Sequence, residues 1–170
     1  MRYLGIDPGL HLTGYGCIEW LPGMDEPALV EGGVLRLNRK ESLASRLAAL
    51  EHDLEAVIKE LNPDLMIVEQ IFSHVHRART AILMGHARGV ILLCGGRRGL
   101  PIQEYTATEV KKAITGRGHA RKSQVQASVA AQMGLSHVPD PPDVADAIAL
   151  ALCGARRRAH EAPDSLSTIS

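Results

Sequence analysis

An apolar run that closes on a carboxylate, Tyr3-Leu4-Gly5-Ile6-Asp7, is turned back at once by Pro8-Gly9. A second extended run follows, Thr13-Gly14-Tyr15-Gly16-Cys17-Ile18-Glu19-Trp20. Pro-Gly is a strong turn signal, so these two runs read as a hairpin. No other stretch constrains the fold as much, because it puts Asp7 at a hairpin mouth and at the end of a central strand. An aspartate in a turn ordinarily caps its own backbone. Here two later segments repeat the pattern of an apolar element that delivers one carboxylate.

Strand-like runs cover 2–7, 13–20 and about 28–37, and Gly32-Gly33 in the third marks a bulge or kink. Residues 42–61 carry leucines, Val57 and Ile58 at three- and four-residue spacing with charges between them, which predicts an amphipathic helix ended by Asn62-Pro63. Asp64 to Gln70 contains Leu65-Met66-Ile67-Val68 and then Glu69, an unbroken apolar run that suits a parallel strand covered on both faces. A helix is expected over 76–98, a strand over 102–105, and a capping box at Thr106-Ala107-Thr108-Glu109 opens another helix. Gly116-Arg117-Gly118-His119 breaks that helix, and 121–133 forms the next. After Pro139-Asp140-Pro141-Pro142 the last helix runs over about 142–158. Three hairpin strands followed by alternating helices and strands give an α/β class with a mixed five-stranded sheet flanked by helices. One domain over 1–158 is expected, with a disordered polar tail over 159–170.

No run of about 18 apolar residues and no charged-then-apolar leader occurs, so the expectation is a cytoplasmic protein with no membrane partner. Cys17, Cys94 and Cys153 form no CxxC pair and read as buried thiols in a reducing compartment. The net charge of zero hides an asymmetry. Residues 1–71 hold 6 Lys/Arg against 12 Asp/Glu, residues 72–137 hold 10 against 2, and residues 138–170 hold 3 against 5. A solvated surface needs no such segregation. A basic middle third suits a polyanion, with the acids kept apart for another task.

The last helix shows what that task is. From Val144 to Cys153 it is apolar nearly all round, and Asp146 is its only charge. A lone buried carboxylate costs several kcal/mol, or shifts its pKa upward, unless a cation compensates. Asp143 lies one turn earlier on the same face, where an acid also complements the helix dipole. Glu69 closes a buried strand with no basic neighbour in sequence. Asp7, Glu69, Asp143 and Asp146 with no Cys/His set suit hard Mg²⁺ or Mn²⁺. Two such ions about 4 Å apart are the usual device for phosphodiester hydrolysis. A polyanion face beside a metal site points to a nuclease.

Six motifs then line up with a known family. Gly5-Ile6-Asp7-Pro8-Gly9 with Thr13-Gly14-Tyr15-Gly16, Val68-Glu69-Gln70-Ile71-Phe72, Gly85-His86-Ala87-Arg88-Gly89, Val110-Lys111-Lys112, Gly116 to Lys122, and Asp143-Val144-Ala145-Asp146-Ala147-Ile148 resemble the RuvC Holliday-junction resolvases in order and spacing over about residues 3–153. The resemblance implies an RNase H-like fold and a homodimer with one active site per subunit. It implies Mg²⁺-dependent paired nicking of two strands of like polarity in a four-way junction, leaving 5′-phosphate and 3′-hydroxyl ends, with two ions per subunit and Mn²⁺ able to substitute. By motif position Asp7, Glu69, Asp143 and Asp146 are the metal ligands, with Asp7 bridging, and RuvA and RuvB are the implied branch-migration partners.

Lys111 and Lys122 match family lysines near the scissile phosphate, where each neutralises transition-state charge or simply contacts a phosphate. Phe72 matches an aromatic that stacks on a junction base, worth roughly 1–3 kcal/mol; the alternative is core packing. Arg77, Arg79, Lys112, Arg117, His119 and Arg121 are the further DNA-binding candidates, the last three on a Gly-interrupted loop suited to closing over DNA. Gly85 and Gly89 in a helix need a reason, either close packing within the chain or the dimer interface. Two other readings stay open: an actin-like ATPase, from the Gly-rich first hairpin, and a junction binder without catalysis.

Overall fold

The structure, a computed structural model, describes residues 1–9, 11–71 and 78–161, with the side chains of Ala78, Arg79 and Glu161 outside the description. The elements in chain order are β1 (Arg2–Asp7), β2 (Leu12–Glu19), β3 (Ala28–Arg36), α1 (Leu43–Leu61), β4 (Leu65–Glu69), α2 (Ala78–Arg97), β5 (Ile102–Tyr105), α3 (Ala107–Thr115), α4 (Lys122–Gln132) and α5 (Pro142–Glu161). They build one mixed sheet in the order β3-β2-β1-β4-β5. β1, β2 and β3 form an antiparallel meander, and β1-β4-β5 pair in parallel.

Strand parity sorts the core. Leu4 and Ile6 of β1 and Met66 and Val68 of β4 pack with α1 and α2 on one face. Tyr3 of β1 and Leu65 and Ile67 of β4 pack with α3, α4 and α5 on the other. Side chains alternate strictly along a strand, so β4 is apolar throughout because both of its faces are covered. The same parity sends Asp7 and Glu69 to the α5 face. The parallel register Ile6↔Val68 sets them on adjacent strands.

The helix signals hold. Ser42 caps α1 by accepting from the Ser45 amide, and Asn62 ends it in the left-handed conformation at φ 44°. Thr106 and Glu109 form the expected reciprocal capping box on α3. Two expectations need correction. The irregularity in the β2–β3 pairing falls between Cys17 and Ile18, whereas Gly32 and Gly33 pair regularly with Gly16 and Tyr15. Those glycines instead leave room for bulk across the sheet, since a Cβ on Gly33 would lie 2.7 Å from the Tyr15 hydroxyl. α5 continues to Glu161, beyond the expected end at 158, and residues 162–170 lie outside the described residues. Gly85 and Gly89 meet nothing within 4 Å of where a Cβ would sit, so neither is explained by packing within the chain.

Cys17, Cys94 and Cys153 are buried and unpaired as expected. Among the described residues no helix is long and apolar enough to cross a membrane.

Candidate active site

α5 lies so close on the hairpin that Gly5 and Gly14 have no room for a side chain. A Cβ on Gly5 would be 2.0 Å from the Ala147 carbonyl oxygen, and one on Gly14 would be 2.2 Å from that of Asp143. The glycines of the first motif therefore let the helix sit directly on β1 and β2. That contact carries Asp143 and Asp146 to the side of the sheet where Asp7 and Glu69 emerge.

The turn after Asp7 is pinned by a different residue. The fully buried Thr13 hydroxyl donates to the Gly9 carbonyl at 2.8 Å and accepts from the Gly9 amide at 3.3 Å. Asp7 is thus released from capping its own turn, and its carboxyl hydrogen-bonds Glu69 instead. Burial pushes the Asp7 carboxyl up to about 9, and the neighbouring charges of Glu69, Asp146 and Asp143 push in the same direction. Glu69 is also raised, first by burial and then by Asp146, although its bond with Asp7 and the fields of Lys122 and Lys111 pull it back.

A cleft of about 310 Å³ opens over this pair. Asp7, Glu69, Lys111, Lys122 and Asp146 line it, with Val110, Val125 and Leu150 among its apolar walls. Asp143 stands one turn before Asp146 and within electrostatic reach of both Asp7 and Lys122. Lys122 opens α4, where a cation opposes the helix dipole. What holds it there is Asp146, whose Oδ2 lies 2.6 Å from the ammonium. Burial disfavours the Lys122 charge, but the bond to Asp146 and the fields of Asp146, Asp143 and Asp7 outweigh it and raise its pKa. This ion pair was invisible in the sequence, where Asp146 has no nearby cation.

The donor set is all carboxylate oxygen, the kind that hard divalent cations take. Among the described residues no three Asp, Glu, His or Cys side chains converge tightly enough to form a ready-made metal nest. Lys122 instead pairs with Asp146, and the Asp7 and Glu69 carboxyls hydrogen-bond one another. The chemistry nonetheless fits a cation. A carboxyl driven to about 9 largely by burial and other carboxylates marks an excess of negative charge that a divalent ion would relieve.

Other sequence candidates divide. Arg117, His119 and Arg121 are exposed on the α3–α4 connection. That connection is tied down, because the Thr115 hydroxyl donates to the Lys111 carbonyl at 2.8 Å and accepts from the Arg117 amide at 3.2 Å. Lys112 lines a different groove from Lys111. Phe72 and Arg77 lie outside the described residues, as does the Arg79 side chain.

Comparison with known proteins adds identity to geometry. The family model for crossover junction endodeoxyribonuclease RuvC matches residues 3–154. The crossover junction endodeoxyribonuclease RuvC of Rhodopirellula baltica is 49% identical over 153 residues, covering 89% of this chain and 84% of the relative. That of Desulforamulus reducens is 44% identical, covering 92% and 94%. Among solved structures, Thermus thermophilus RuvC in complex with Holliday junction substrate superposes with a TM-score of 0.87 at 30% identity, covering 95% of this chain and 96% of that one.

Proposed function

The chain belongs to the RuvC family of crossover junction endodeoxyribonucleases, and from that premise we propose that its carboxylate cleft is a metal-dependent active site that nicks four-way DNA junctions in pairs. It is a Holliday-junction resolvase, a nuclease of recombination and repair. The observation that carries the mechanism is the half-buried Asp7 carboxyl, crowded by Glu69, Asp146 and Asp143 and facing a cleft with two lysines.

Asp7, Glu69, Asp143 and Asp146 would hold Mg²⁺, two ions per subunit, with Mn²⁺ a workable substitute. When bound, such a pair lowers the pKa of the attacking water and stabilises the leaving 3′-oxygen, which yields 5′-phosphate and 3′-hydroxyl ends. The chain's own groups do the rest. With a cation to compensate their charge, Asp7 and Glu69 would both face the cleft as carboxylates, the Asp7 proton passing to solvent. Lys122, released from Asp146, is placed to neutralise charge that builds on the phosphate, and Lys111 holds the same phosphate from the α3 side. The apolar walls from Val110, Val125 and Leu150 keep bulk water away from these charges and so strengthen them.

Pairing of the two nicks calls for two active sites. On α2 the exposed Ile82, Gly85, His86, Gly89 and Leu93 recur at helical spacing along one face. Exposed apolar side chains beside two glycines with open space at their Cβ positions suit the close approach of a second copy. A two-fold homodimer would present two clefts to strands of like polarity in the junction. We assign the chain to the cytoplasm and take RuvA and RuvB as its branch-migration partners on family grounds alone. The base-stacking role of Phe72 rests on the same ground.

A labelled four-way junction in Mg²⁺ tests the reading. Asp7→Asn is expected to bind the junction with affinity near that of the wild type and to leave it uncut. Wild-type nicking by that variant would remove Asp7 from the chemistry. ATP turnover in the same preparation, with an intact junction, would favour the ATPase alternative instead.

A further inference from the structure

The first 71 residues are acidic, yet four of their six Lys and Arg fall within 36–46, where Glu41 is the one acid. Of these, Arg39 and Lys40 lie on the turn from β3 to α1, and Arg46 lies on the first turn of that helix. His11 stands beside them, since the Leu37 amide donates to its carbonyl at 3.0 Å. A basic cluster thus forms at the end of the sheet where Asp7 closes β1, four residues before His11. It lies on the α1 side of the sheet, with Leu37 and Leu50 in the core beneath it, and not on the α5 side. Thr13 fixes the turn between Asp7 and His11 by holding both the amide and the carbonyl of Gly9.

Among the described residues Arg39, Lys40 and Arg46 make no ion pair, whereas Arg2, Arg97 and Arg98 each hold a glutamate. Glu41 accepts from the Asn38 side-chain amide at 3.4 Å, and counted in full it offsets one cation of three. Leu10 and residues 72–77, which adjoin this end of the sheet in sequence and lie outside the described residues, contain no Asp or Glu. α5 ends at the opposite end of β1, where the field of Arg158 reaches Tyr3. The cluster also works against the fold. The first turn of α1 has no acid, and Arg46 there opposes the helix dipole. Burial, and then Arg39 and Arg46, push the His11 imidazole below its usual value, with no described carboxylate acting the other way. The inner nitrogens, Nδ1 of His11 and Nε of Arg46, are shut off from solvent and have no hydrogen-bond partner among the described residues. Both side chains are only half-buried, so their outer nitrogens are left for a ligand. Like charges held together without a partner suit an anion.

We propose that His11, Arg39 and Arg46 form a phosphate-backbone site on the α1 side of the catalytic end, which holds a duplex arm of the DNA as it leaves the carboxylate cleft. The occupant is DNA because cluster and cleft share one end of the sheet. A duplex whose cut strand reaches Asp7 continues past the β1–β2 turn toward α1. Guanidinium forks meet phosphate oxygens two at a time, which suits Arg39 and Arg46 to a backbone. The proposal rests on the junction-nuclease reading for the DNA in the cleft. Its own contacts are to phosphates, so they act on any duplex.

Salt dependence measures phosphate contacts directly, since each one contributes about 0.9 to the slope of log K against log salt on duplex DNA. The experiment compares wild type with Arg39→Gln/Arg46→Gln on a linear duplex and on a four-way junction, with a chelator present, in parallel with wild-type nicking in Mg²⁺. The double variant is expected to lower the slope by about 1.8 on both DNAs. Between about 50 and 200 mM salt the wild type should then lose about tenfold more affinity than the variant. Arg39→Gln alone, at an exposed turn position that leaves α1 intact, should lower the slope by about 0.9. Arg46→Lys keeps the charge and should keep the wild-type slope. Slopes equal to wild type in Arg39→Gln and in the double variant would overturn the proposal and point to an acidic protein surface as the occupant. A wild-type chain that fails to nick, set beside variants with the expected slope changes, would sink the nuclease reading and leave the phosphate site standing.

Discussion

Asp7 sets the residue-scale expectations. An acid whose folded pKa exceeds its unfolded one takes up a proton on folding, so it weakens the fold as pH rises between the two values. With an ordinary value of 3.8 and a folded value of about 9, the metal-free protein should lose stability steadily from about pH 4 to pH 9. Asp7→Asn removes that dependence and can still donate to Glu69. At pH 8 it should raise stability by about 2 kcal/mol, roughly 5 °C in Tm, in a melt recorded with a chelator present. A variant as pH-sensitive as the wild type would place the strain elsewhere. Lys122 makes the complementary case. Lys122→Gln should lower the nicking rate about 100-fold or more with junction affinity little changed, measured at saturating enzyme. A rate within a few-fold of wild type would leave Lys122 as a partner of Asp146 and nothing more.

At the scale of elements, the seating of α5 on the first hairpin governs the site. Gly5→Ala would drive a methyl into the Ala147 carbonyl, which neither backbone can avoid. The expected cost is about 3 kcal/mol or more in denaturant unfolding, with nicking lost in whatever fraction still folds. A Gly5→Ala protein of wild-type stability and activity would show that the helix can stand off without disturbing Asp143 and Asp146. Much of this arrangement was legible in the chain. A hairpin ending on Asp7, a strand ending on Glu69 and an otherwise apolar helix carrying Asp146 already implied convergence, because strand parity and helical periodicity are local properties. The Lys122–Asp146 bond was not legible, since it depends on how the α3–α4 connection lays α4 across α5. Nor was the bulge position, because a Gly-Gly pair signals both an irregular strand and close packing, and here packing against Tyr15 is the cause.

For the whole molecule, symmetry and charge should work together. The segregation of acids into the first third and bases into the middle third of the chain becomes a carboxylate cleft rimmed by Lys111 and Lys122, with Arg117, His119 and Arg121 exposed nearby in sequence. If α2 is the dimer seam, Ile82→Asp should shift the protein from dimer to monomer in sedimentation and uncouple the two nicks, so that singly nicked junctions accumulate. A variant that remains dimeric and still cuts in pairs would move the interface off α2. The central claim, however, is that the crowded carboxylates are there to hold divalent ions. The most direct measurement is calorimetric titration of Mg²⁺ into the wild-type protein at about pH 7.5, in two buffers of different ionisation enthalpy. With the Asp7 carboxyl pushed up to about 9, uptake of Mg²⁺ should release about one proton per subunit, and Asp7→Asn should release none. Absence of Mg²⁺ binding, or binding without proton release, would contradict the account.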